Sequence, residues 1–471
     1  MNLNRPAFLQ TRNYPGLLFA KVADRTKTDN EPTPRRPPSR DGFPSTPPPC
    51  TMNTNLLVIG ASGRFLAESA ARAGWRVGAI DLFNDHDLRE ACCQIAQLTP
   101  GEYPVAIPAR SAEFPPGPFI YAGGLENHPE LLTELATHRQ LAGNGPTVLS
   151  SIRQPLELAA LAAAAGWHYP ETHPAPARLP TDGSFLCKPL ASAGGHGITR
   201  WTGERLAAPG SYWQRFVEGV PLSISLLLGR KPPQLLGLCR QFSGLSWCHA
   251  APFGFCGGVE LPLPPPAAPL RHSLEQLLQK IVERTELTGL VGVDFLLPRK
   301  RGGHSTQPVL LEINPRPTAT MELIERRTGA SLVAGHLATF GWQSPRPSPP
   351  PQTGRGSWAK AILFADALVT VTNELSQQLH LTAEQTRAYE EPALPLLADR
   401  PVSGNRVTPG SPIMTVFASA ATPAVAVRRL CHRVRQLQRL LSSAAVAGTR
   451  IQPASRRGNS DASGNARNCI R

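Results

Sequence analysis

The sequence predicts a mixed fold in which an α/β region precedes an α+β region, and two patterns support that prediction. A short apolar strand, a glycine turn, a helix and a second strand follow one another over residues 56–81. That order is a βαβ unit and implies a parallel sheet. Further along, strands at 185–189 and 198–201 flank a glycine loop, which indicates an antiparallel hairpin. With 471 residues, the chain is long enough for two or three domains.

The first strand is predicted at 56–59, after a segment of different composition. Residues 1–50 contain ten prolines and no sustained hydrophobic period, so we expect residues 1–51 to be disordered. A helix at 65–73 and strands at 77–80 and 119–121 complete the α/β region.

The later region is predicted to contain more strands than helices. Its predicted helices and strands, in chain order, are a helix at 155–165, strands at 212–217, 222–228 and 234–242, a helix at 271–287, and strands at 290–297 and 309–314. A proline-rich linker at 345–351 separates them from a β-rich segment at 357–417 and an amphipathic helix at 424–441.

The formal net charge of +14 is concentrated at the two ends of the chain. Residues 1–50 carry +4 and residues 423–471 carry +9, so the rest of the chain is nearly neutral. We interpret the ends as basic tails on a neutral enzyme, and a nucleic-acid partner is not expected. No apolar run reaches 18 residues, which predicts no membrane helix. Nine cysteines without a C-x-x-C pair fit a reducing cytoplasm.

The first candidate motif is Gly60-Ala61-Ser62-Gly63, which follows a strand and opens a helix. Asp81 lies about 20 residues further on, where a dinucleotide-binding fold places the acid that contacts ribose. The motif lacks its third glycine, since Leu66 stands there, and no tyrosine is followed by a lysine four residues later. These glycines therefore either bind NAD(P) or make only a tight strand–helix turn.

The second candidate motif is a strand lysine, Lys188, followed by a loop containing Ser192, Gly194, Gly195 and Gly197. Glycines let backbone N–H groups surround a polyphosphate, and the lysine adds a point charge. The chain has 7 lysines against 41 arginines, and Lys188 is the only lysine between residues 28 and 230. A lysine in a chain so rich in arginine indicates that this position needs an ammonium group. The alternative is a surface lysine on an edge strand.

The third candidate motif is a pair of apolar strands that carry acids. Asp294 lies on one strand, and Glu312 and Asn314 share a face of the next because strand side chains alternate. A hairpin turn near residues 299–303 would bring the three together. Their oxygen ligands suit Mg²⁺, and Arg316 could hold a phosphoryl group. The alternative is a structural pair between a buried carboxylate and this arginine.

Together these three stretches resemble the ATP-grasp superfamily of carboxylate–amine or carboxylate–thiol ligases. The resemblance covers residues 55–340, and its most specific part is Gly-Val-Asp-Phe at 292–295 with Leu-Glu-Ile-Asn-Pro-Arg at 311–316. It implies a Rossmann-like domain at 52–148 and a two-subdomain ATP-grasp domain at 149–340. A linker at 341–356, a small β-rich C-terminal segment with its helix at 357–441 and a disordered tail at 442–471 would follow.

The resemblance also implies roles for individual residues. Residues 212–219 would be the hinge that binds adenine, with Gln214, Phe216, Val217 and Glu218 as its contacts. Arg153 and Lys188 would contact phosphate, Arg316 would contact phosphate or an acylphosphate, and Asp294, Glu312 and Asn314 would hold Mg²⁺ or Mn²⁺. The sequence departs from the family at the hinge, where Gln214 replaces a common glutamate and Leu222-Ser223 replaces a further acid.

A narrower resemblance is to a branch of predicted ATP-dependent carboligases associated with tetrahydromethanopterin-linked one-carbon metabolism. Residues 123–129, 253–258 and 398–412 look like that branch. The expectation is an ATP-dependent ligase that joins a small-molecule carboxylate to an amine through an acylphosphate, and the family suggests a homodimer. Two alternatives stay open: an NAD(P)-dependent oxidoreductase built on residues 56–81, and a non-catalytic nucleotide-binding protein.

Overall fold

The computed structural model describes seven stretches of the chain: 54–174, 178–204, 209–263, 268–298, 307–346, 356–387 and 395–448. The predicted disordered segment at 1–51, the predicted hairpin turn near 299–303 and most of the predicted linker lie outside them. None of the helices within them is long and apolar enough to cross a membrane.

The N-terminal region is a parallel sheet flanked by helices. Its elements are β1 (Asn55–Ile59), α1 (Arg64–Arg72), β2 (Arg76–Asp81), α2 (His86–Ala91), β3 (Gln94–Gln97), α3 (Ile107–Ser111), β4 (Phe119–Tyr121) and α4 (Pro129–Ala136). The strand order is β3-β2-β1-β4, and every pairing is parallel, which confirms the βαβ prediction. Apolar clusters cover both faces of this sheet, as parallel sheets require.

Two helices lead from this region to a small antiparallel sheet. The elements are α5 (Pro146–Ile152), α6 (Pro155–Ala164), β5 (Thr172–His173), β6 (Phe185–Pro189), β7 (Thr199–Arg200) and β8 (Ser211–Arg215). The strand order is β5-β8-β6-β7, and the predicted hairpin is the antiparallel pair of β6 and β7. Strand β6 is therefore an interior strand, paired on both sides.

A large antiparallel sheet forms the rest of the described structure. Its strands are β9 (Gly219–Leu228), β10 (Gln234–Ser243), β11 (Phe255–Leu261), β12 (Gly289–Pro298), β13 (Val309–Asn314), β14 (Ser357–Phe364), β16 (Leu397–Ala398) and β18 (Pro412–Ala420), in the order β13-β12-β9-β10-β11-β14-β18-β16. Strands β15 (Val369–Thr370) and β17 (Arg406–Val407) form a separate pair. The helices are α7 (Ala268–Arg284), α8 (Met321–Thr328), α9 (Leu332–Thr339), α10 (Asn373–Arg387) and α11 (Pro423–Gly448).

The C-terminal strands extend the large sheet. Strand β14 pairs with β11, so residues on both sides of the predicted linker belong to one sheet. The predicted amphipathic helix is confirmed as α11, which packs apolar side chains on β14 and β18 and runs seven residues beyond its predicted end. The sequence did not predict the following elements, because their apolar patterns are short or irregular: β3, β5, β11, α2, α3, α4, α5, α8, α9 and α10.

A buried ionic cluster joins the N-terminal region to the large sheet. Arg64, at the start of α1, donates hydrogen bonds to Glu322 of α8 and to Asp399. Lys360 of β14 donates to Glu322 at 2.7 Å. The cations lower the pKa of Glu322 despite the burial that opposes it, so its carboxylate stays ionised. The cluster holds α1 against α8, which follows strand β13 of the candidate site, and against β14.

Candidate active site

A cleft lies between the small sheet and the edge of the large sheet, and half of the predicted site residues line it. Its walls include α5 and α6, the loop after β6, and strand β13. The predicted residues that line it are Arg153, Lys188, Ser192, Gly194, Gly195, Glu312 and Asn314. Predicted site residues up to 161 positions apart in sequence therefore line the same cleft.

Lys188 projects from the interior strand β6 into this cleft. Its ammonium group donates a hydrogen bond of 3.1 Å to the side-chain oxygen of Gln214 on β8. It also lies 5.6 Å from the centre of the Tyr212 ring. Because β6 is paired on both sides, the alternative of a surface lysine on an edge strand is wrong.

The glycine loop folds against the segment that precedes β11. Gly194, Gly195 and Gly197 all have positive φ angles, +61°, +79° and +77°, which side chains disfavour. The Gly194 carbonyl accepts a hydrogen bond of 2.8 Å from the Phe255 N–H. A Cβ atom on Gly195 would lie 2.1 Å from the Phe253 carbonyl oxygen, so only glycine fits this contact.

Within the predicted hinge, Tyr212 lines the cleft, whereas the four predicted base contacts do not. Gln214 is buried, and its amide bridges Lys188 and Thr172. Phe216 lies under the Arg200 guanidinium, whose carbon is 4.0 Å from the ring centre, and its N–H donates to the Ser184 carbonyl. Val217 and Glu218 follow directly, between β8 and β9. A base-binding role for these four residues stays a prediction.

The two predicted carboxylates are cross-strand neighbours. Asp294 of β12 pairs with Glu312 of β13 in the antiparallel register, which confirms the predicted hairpin geometry. Gln241 of β10 donates a hydrogen bond of 2.9 Å to Oδ1 of the Asp294 carboxylate. Burial, followed by the charge of Glu312, raises the pKa of Asp294 to about 8. The pair therefore disfavours two negative charges at neutral pH.

Asn314 and Arg316 extend this cluster toward the N-terminal region. The Asn314 amide nitrogen donates to Asp294 at 3.1 Å and to Glu312 at 3.3 Å. Its oxygen accepts a hydrogen bond of 3.2 Å from Arg316. Arg316 forms its ion pair with the buried Glu126 at 2.7 Å, so the carboxylate that pairs with it lies outside the predicted strand pair.

Glu126 is a site residue that the sequence reasoning missed. It lies in the loop after β4, fully buried, and accepts from both Arg316 and the Gly124 N–H. Arg153 is 3.8 Å from the same carboxylate. The backbone at Gly123 packs against Arg316, since a Cβ there would lie 3.0 Å from the guanidinium carbon. Its sequence signal was the stretch at 123–129 that resembles the narrower branch, and that resemblance assigned Glu126 no role.

Arg153 is held by the same loop. Its guanidinium donates to the Asn127 side-chain oxygen at 2.6 Å and to the Leu190 carbonyl at 2.8 Å. Leu190 follows strand β6, so Arg153 connects the N-terminal loop to the segment that carries Lys188. This contact brings both predicted phosphate-binding cations to one wall of the cleft.

The Gly60–Gly63 turn does not offer the predicted ribose contact. The Asp81 carboxylate is buried and accepts hydrogen bonds from the N–H groups of Gly63, Phe83 and Asn84, at 2.6–2.8 Å. A Cβ on Gly60 would lie 2.5 Å from the Ala122 Cβ, so this glycine allows close packing of β1 and β4. The motif acts as a tight strand–helix turn.

The acid cluster fits a hard divalent cation. Its donors are two carboxylates and an amide oxygen, the ligand chemistry of Mg²⁺ or Mn²⁺. The buried Ser223 of β9 lies directly opposite Asp294 in the strand register. Among the described residues no group of three His, Cys, Asp or Glu side chains could hold a metal ion, and the candidate set here consists of two carboxylates and an amide.

Comparison with known proteins identifies the class. Residues 158–320 match the family model of the ATP-grasp domain. The chain therefore contains an ATP-grasp domain, and the predicted fold class is confirmed. No curated protein matches the chain in sequence.

Solved structures share the fold over most of the chain. Carboxyaminoimidazole ribonucleotide synthase from Aspergillus clavatus, complexed with ATP, is 15% identical with a TM-score of 0.58, covering 83% of this chain and 100% of that one. N5-carboxyaminoimidazole ribonucleotide synthetase from Thermus thermophilus is 17% identical with a TM-score of 0.56, covering 82% and 98%. The biotin carboxylase domain dimer of Hydrogenobacter thermophilus 2-oxoglutarate carboxylase, with MgADP, ADP and bicarbonate, is 12% identical with a TM-score of 0.54, covering 79% and 88%.

Proposed function

We propose that the protein is an ADP-forming ATP-dependent ligase that joins a small-molecule carboxylate to an amine. The observation that supports this proposal most directly is that Lys188, the glycine loop and the strand residues Glu312 and Asn314 line one cleft. In the proposed reaction the carboxylate attacks the γ-phosphate of ATP, giving an acylphosphate and ADP. The amine then attacks the acyl carbon, phosphate leaves, and the amine gives up a proton to form the amide.

In this proposal the side chains position and neutralise charge, and none forms a covalent intermediate. Lys188 and Arg153 contact ATP phosphates, and Arg316 contacts the transferred phosphoryl group. The backbone N–H groups around Gly194 and Gly195 surround the phosphates. The hinge formed by Gln214, Phe216, Val217 and Glu218 contacts the base.

Asp294, Glu312 and Asn314 would hold the Mg²⁺ that accompanies ATP and neutralises its phosphates. The Asn314 amide would exchange its two ends, because its nitrogen faces both carboxylates here. That exchange would also turn the amide oxygen of Asn314 away from Arg316. Part of the guanidinium would then be able to bind an anion. Both changes favour a ligand set of oxygen atoms beside an anion-binding arginine.

The alternative of an NAD(P)-dependent oxidoreductase is less well supported. The Asp81 carboxylate is engaged by three backbone N–H groups and is not directed at a ribose. The alternative also assigns no role to the cluster of Lys188, Asp294 and Glu312. A role in making a one-carbon carrier cofactor, in the cytoplasm and as a homodimer, is the finer form of the proposal. It rests on the resemblance at residues 123–129, 253–258 and 398–412.

Release of ADP from Mg-ATP tests the proposal. We expect release to require both a carboxylate and an amine, and a panel of amino acids and pterin-type carboxylates provides the pairs. Titration of NADH and NADPH in the same buffer separates the alternatives. Tight binding of either dinucleotide without binding of ATP would contradict the ligase proposal, and ATP binding without turnover on any pair would favour the non-catalytic alternative.

A further inference from the structure

The connector between β10 and β11, residues 244–254, reaches from the large sheet to the glycine loop after β6. Where the connector joins β11, the Phe255 N–H donates a hydrogen bond of 2.8 Å to the Gly194 carbonyl. The Phe253 carbonyl oxygen lies against Gly195, where a Cβ atom would be only 2.1 Å from it. The connector therefore contacts the glycine loop at two consecutive glycines.

Phe253, at the tip of the connector, has a strained backbone. Its φ of +63° lies in the left-handed region, where a bulky side chain is an outlier. Strain of this kind persists only where surrounding contacts hold it. One such contact is the edge-on packing of its ring against the Phe216 ring, with the ring centres 6.4 Å apart. Release of the tip would lose contacts and relieve strain, so the held and released states are close in free energy.

The base of the connector is fixed to the C-terminal part of the chain. The Trp247 carbonyl accepts a hydrogen bond of 3.0 Å from the side-chain amide of Gln438 on α11. The same amide lies 3.3 Å from Nε2 of His249, whose Nδ1 is 3.7 Å from the Asp366 carboxylate. These contacts of the base do not depend on those of the tip, so the tip can leave the glycine loop while the base stays in place.

The glycine loop is one wall of a cleft that is too small for a nucleotide in this conformation. The cleft has a volume of about 70 Å³, whereas pockets for drug-sized ligands are about 300–1,000 Å³. Ser192, Gly194 and Gly195 of the loop line the cleft, and no described residue of the connector does. Entry of a nucleotide therefore requires the loop to move, and the connector acts on the loop and not on the ligand.

We propose that the connector is a latch that gates the entry and release of ATP, with Phe253 as a positioning residue. The proposal rests on ATP binding in this cleft, as proposed above. With the latch closed, the glycine loop blocks the cleft. Release of the tip lets ATP enter, and the tip then closes the loop over the bound nucleotide. This role also accounts for part of the stretch at 253–258, to which the ligase proposal assigns no step.

Both rate constants of nucleotide binding test the latch. Stopped-flow fluorescence with Mg²⁺ and methylanthraniloyl-labelled ATP measures them on the full chain. Phe253→Ala removes the ring contact with Phe216, and an aromatic pair shifts a closing equilibrium by about two- to tenfold. We expect association and dissociation both to become faster by about this factor, whereas loss of a ligand contact would change mainly dissociation. Phe83→Ala, which removes a half-buried ring outside the connector and the cleft, should keep both rates.

Hydrogen exchange of the nucleotide-free protein tests the latch without ATP. In Phe253→Ala the Phe255 N–H, which is bonded to Gly194, should exchange faster by about the same factor. Unchanged exchange, or unchanged rates in a chain that binds ATP, would overturn the latch and leave the ligase proposal standing. Failure of the wild type to bind Mg-ATP would overturn the ligase proposal and the gating role with it. If Phe253→Ala melts below wild type, Phe253→Gly, which adopts a positive φ without strain, should raise both rates in its place.

Discussion

The Arg316 guanidinium is held by Glu126, a residue 190 positions earlier in the chain, at 2.7 Å. Both side chains are buried, and both belong to different regions of the fold. Burial alone would raise the pKa of Glu126, but the charge and hydrogen bond of Arg316 lower it. The N-terminal region thus fixes the arginine that the proposed reaction uses.

Glu126→Ala should destabilise the protein by about 3–5 kcal/mol, because it leaves the buried Arg316 charge without its partner. Chemical denaturation measures the free energy of unfolding. The control is Glu130→Ala, which removes a mostly exposed carboxylate in α4 and should change stability by about 0.5 kcal/mol or less. Equal, small changes in both variants would show that the Glu126–Arg316 pair is not a structural contact of this strength.

Lys188→Ala should lower turnover by about 10²–10³-fold, the scale for losing one preorganised charge. Lys188→Arg should not restore activity, because a guanidinium is wider and planar where the structure has an ammonium beside Gln214. Steady-state ADP release measures both variants. Lys231→Ala, which removes an exposed lysine, serves as the control. Full activity of the Arg variant would contradict the inference from the scarcity of lysine.

Gly195→Ala should weaken ATP binding more than Gly194→Ala does. Both residues have positive φ, so both substitutions strain the backbone by about 1 kcal/mol. Only at Gly195 would the new methyl group collide with a backbone oxygen, that of Phe253, whereas Gly194 faces open space. Calorimetric titration of ATP into the two variants compares them. Equal affinities would mean that contact with Phe253 does not set the loop conformation used for binding.

His336 should make stability depend on pH. Its Nδ1 accepts from the Leu290 N–H and its Nε2 faces the Ala142 carbonyl, which fixes the neutral form. Burial lowers its pKa to about 4, so the unfolded chain binds this proton first as pH falls below about 6.5. The difference in unfolding free energy between wild type and His336→Gln should shrink by about 2 kcal/mol from pH 7.5 to 5. A constant difference would show that the imidazole has the same pKa in the folded and unfolded protein, as an exposed side chain has.

The parts of the site that could be predicted from the sequence are those that local sequence patterns encode. Lys188 and its glycine loop are contiguous, and Asp294 and Glu312 lie on consecutive strands whose alternation and hairpin fix their register. Glu126 could not be found in this way, because its partner is 190 positions away and its loop has no periodic pattern. Hydrogen bonds from Tyr121 and Asn144 to the Pro315 carbonyl bring the segment after β13 beside the N-terminal region.

Two other motifs show where local patterns are ambiguous. The Gly60–Gly63 turn has the same spacing whether it binds a cofactor or closes a turn, and only the direction of the Asp81 carboxylate separates the two. Gln214 was predicted from family resemblance to contact a base. That role stays a prediction. The structure buries its amide between Lys188 and Thr172, a contact that requires β5, β6 and β8 to be adjacent.

The central claim is that Asp294, Glu312 and Asn314 bind the cation that accompanies ATP. Glu312→Gln removes the charge that helps to raise the pKa of Asp294, while Arg316 keeps its own partner, Glu126. Thermal melts of wild type and Glu312→Gln, each with and without Mg-ATP, measure the effect directly. We expect the ligand-free variant to melt at the wild-type temperature or above, and Mg-ATP to raise its melting temperature much less than that of wild type. A variant that melts lower without ligand, yet gains as much as wild type from Mg-ATP, would show that Glu312 is structural and that the cation binds elsewhere.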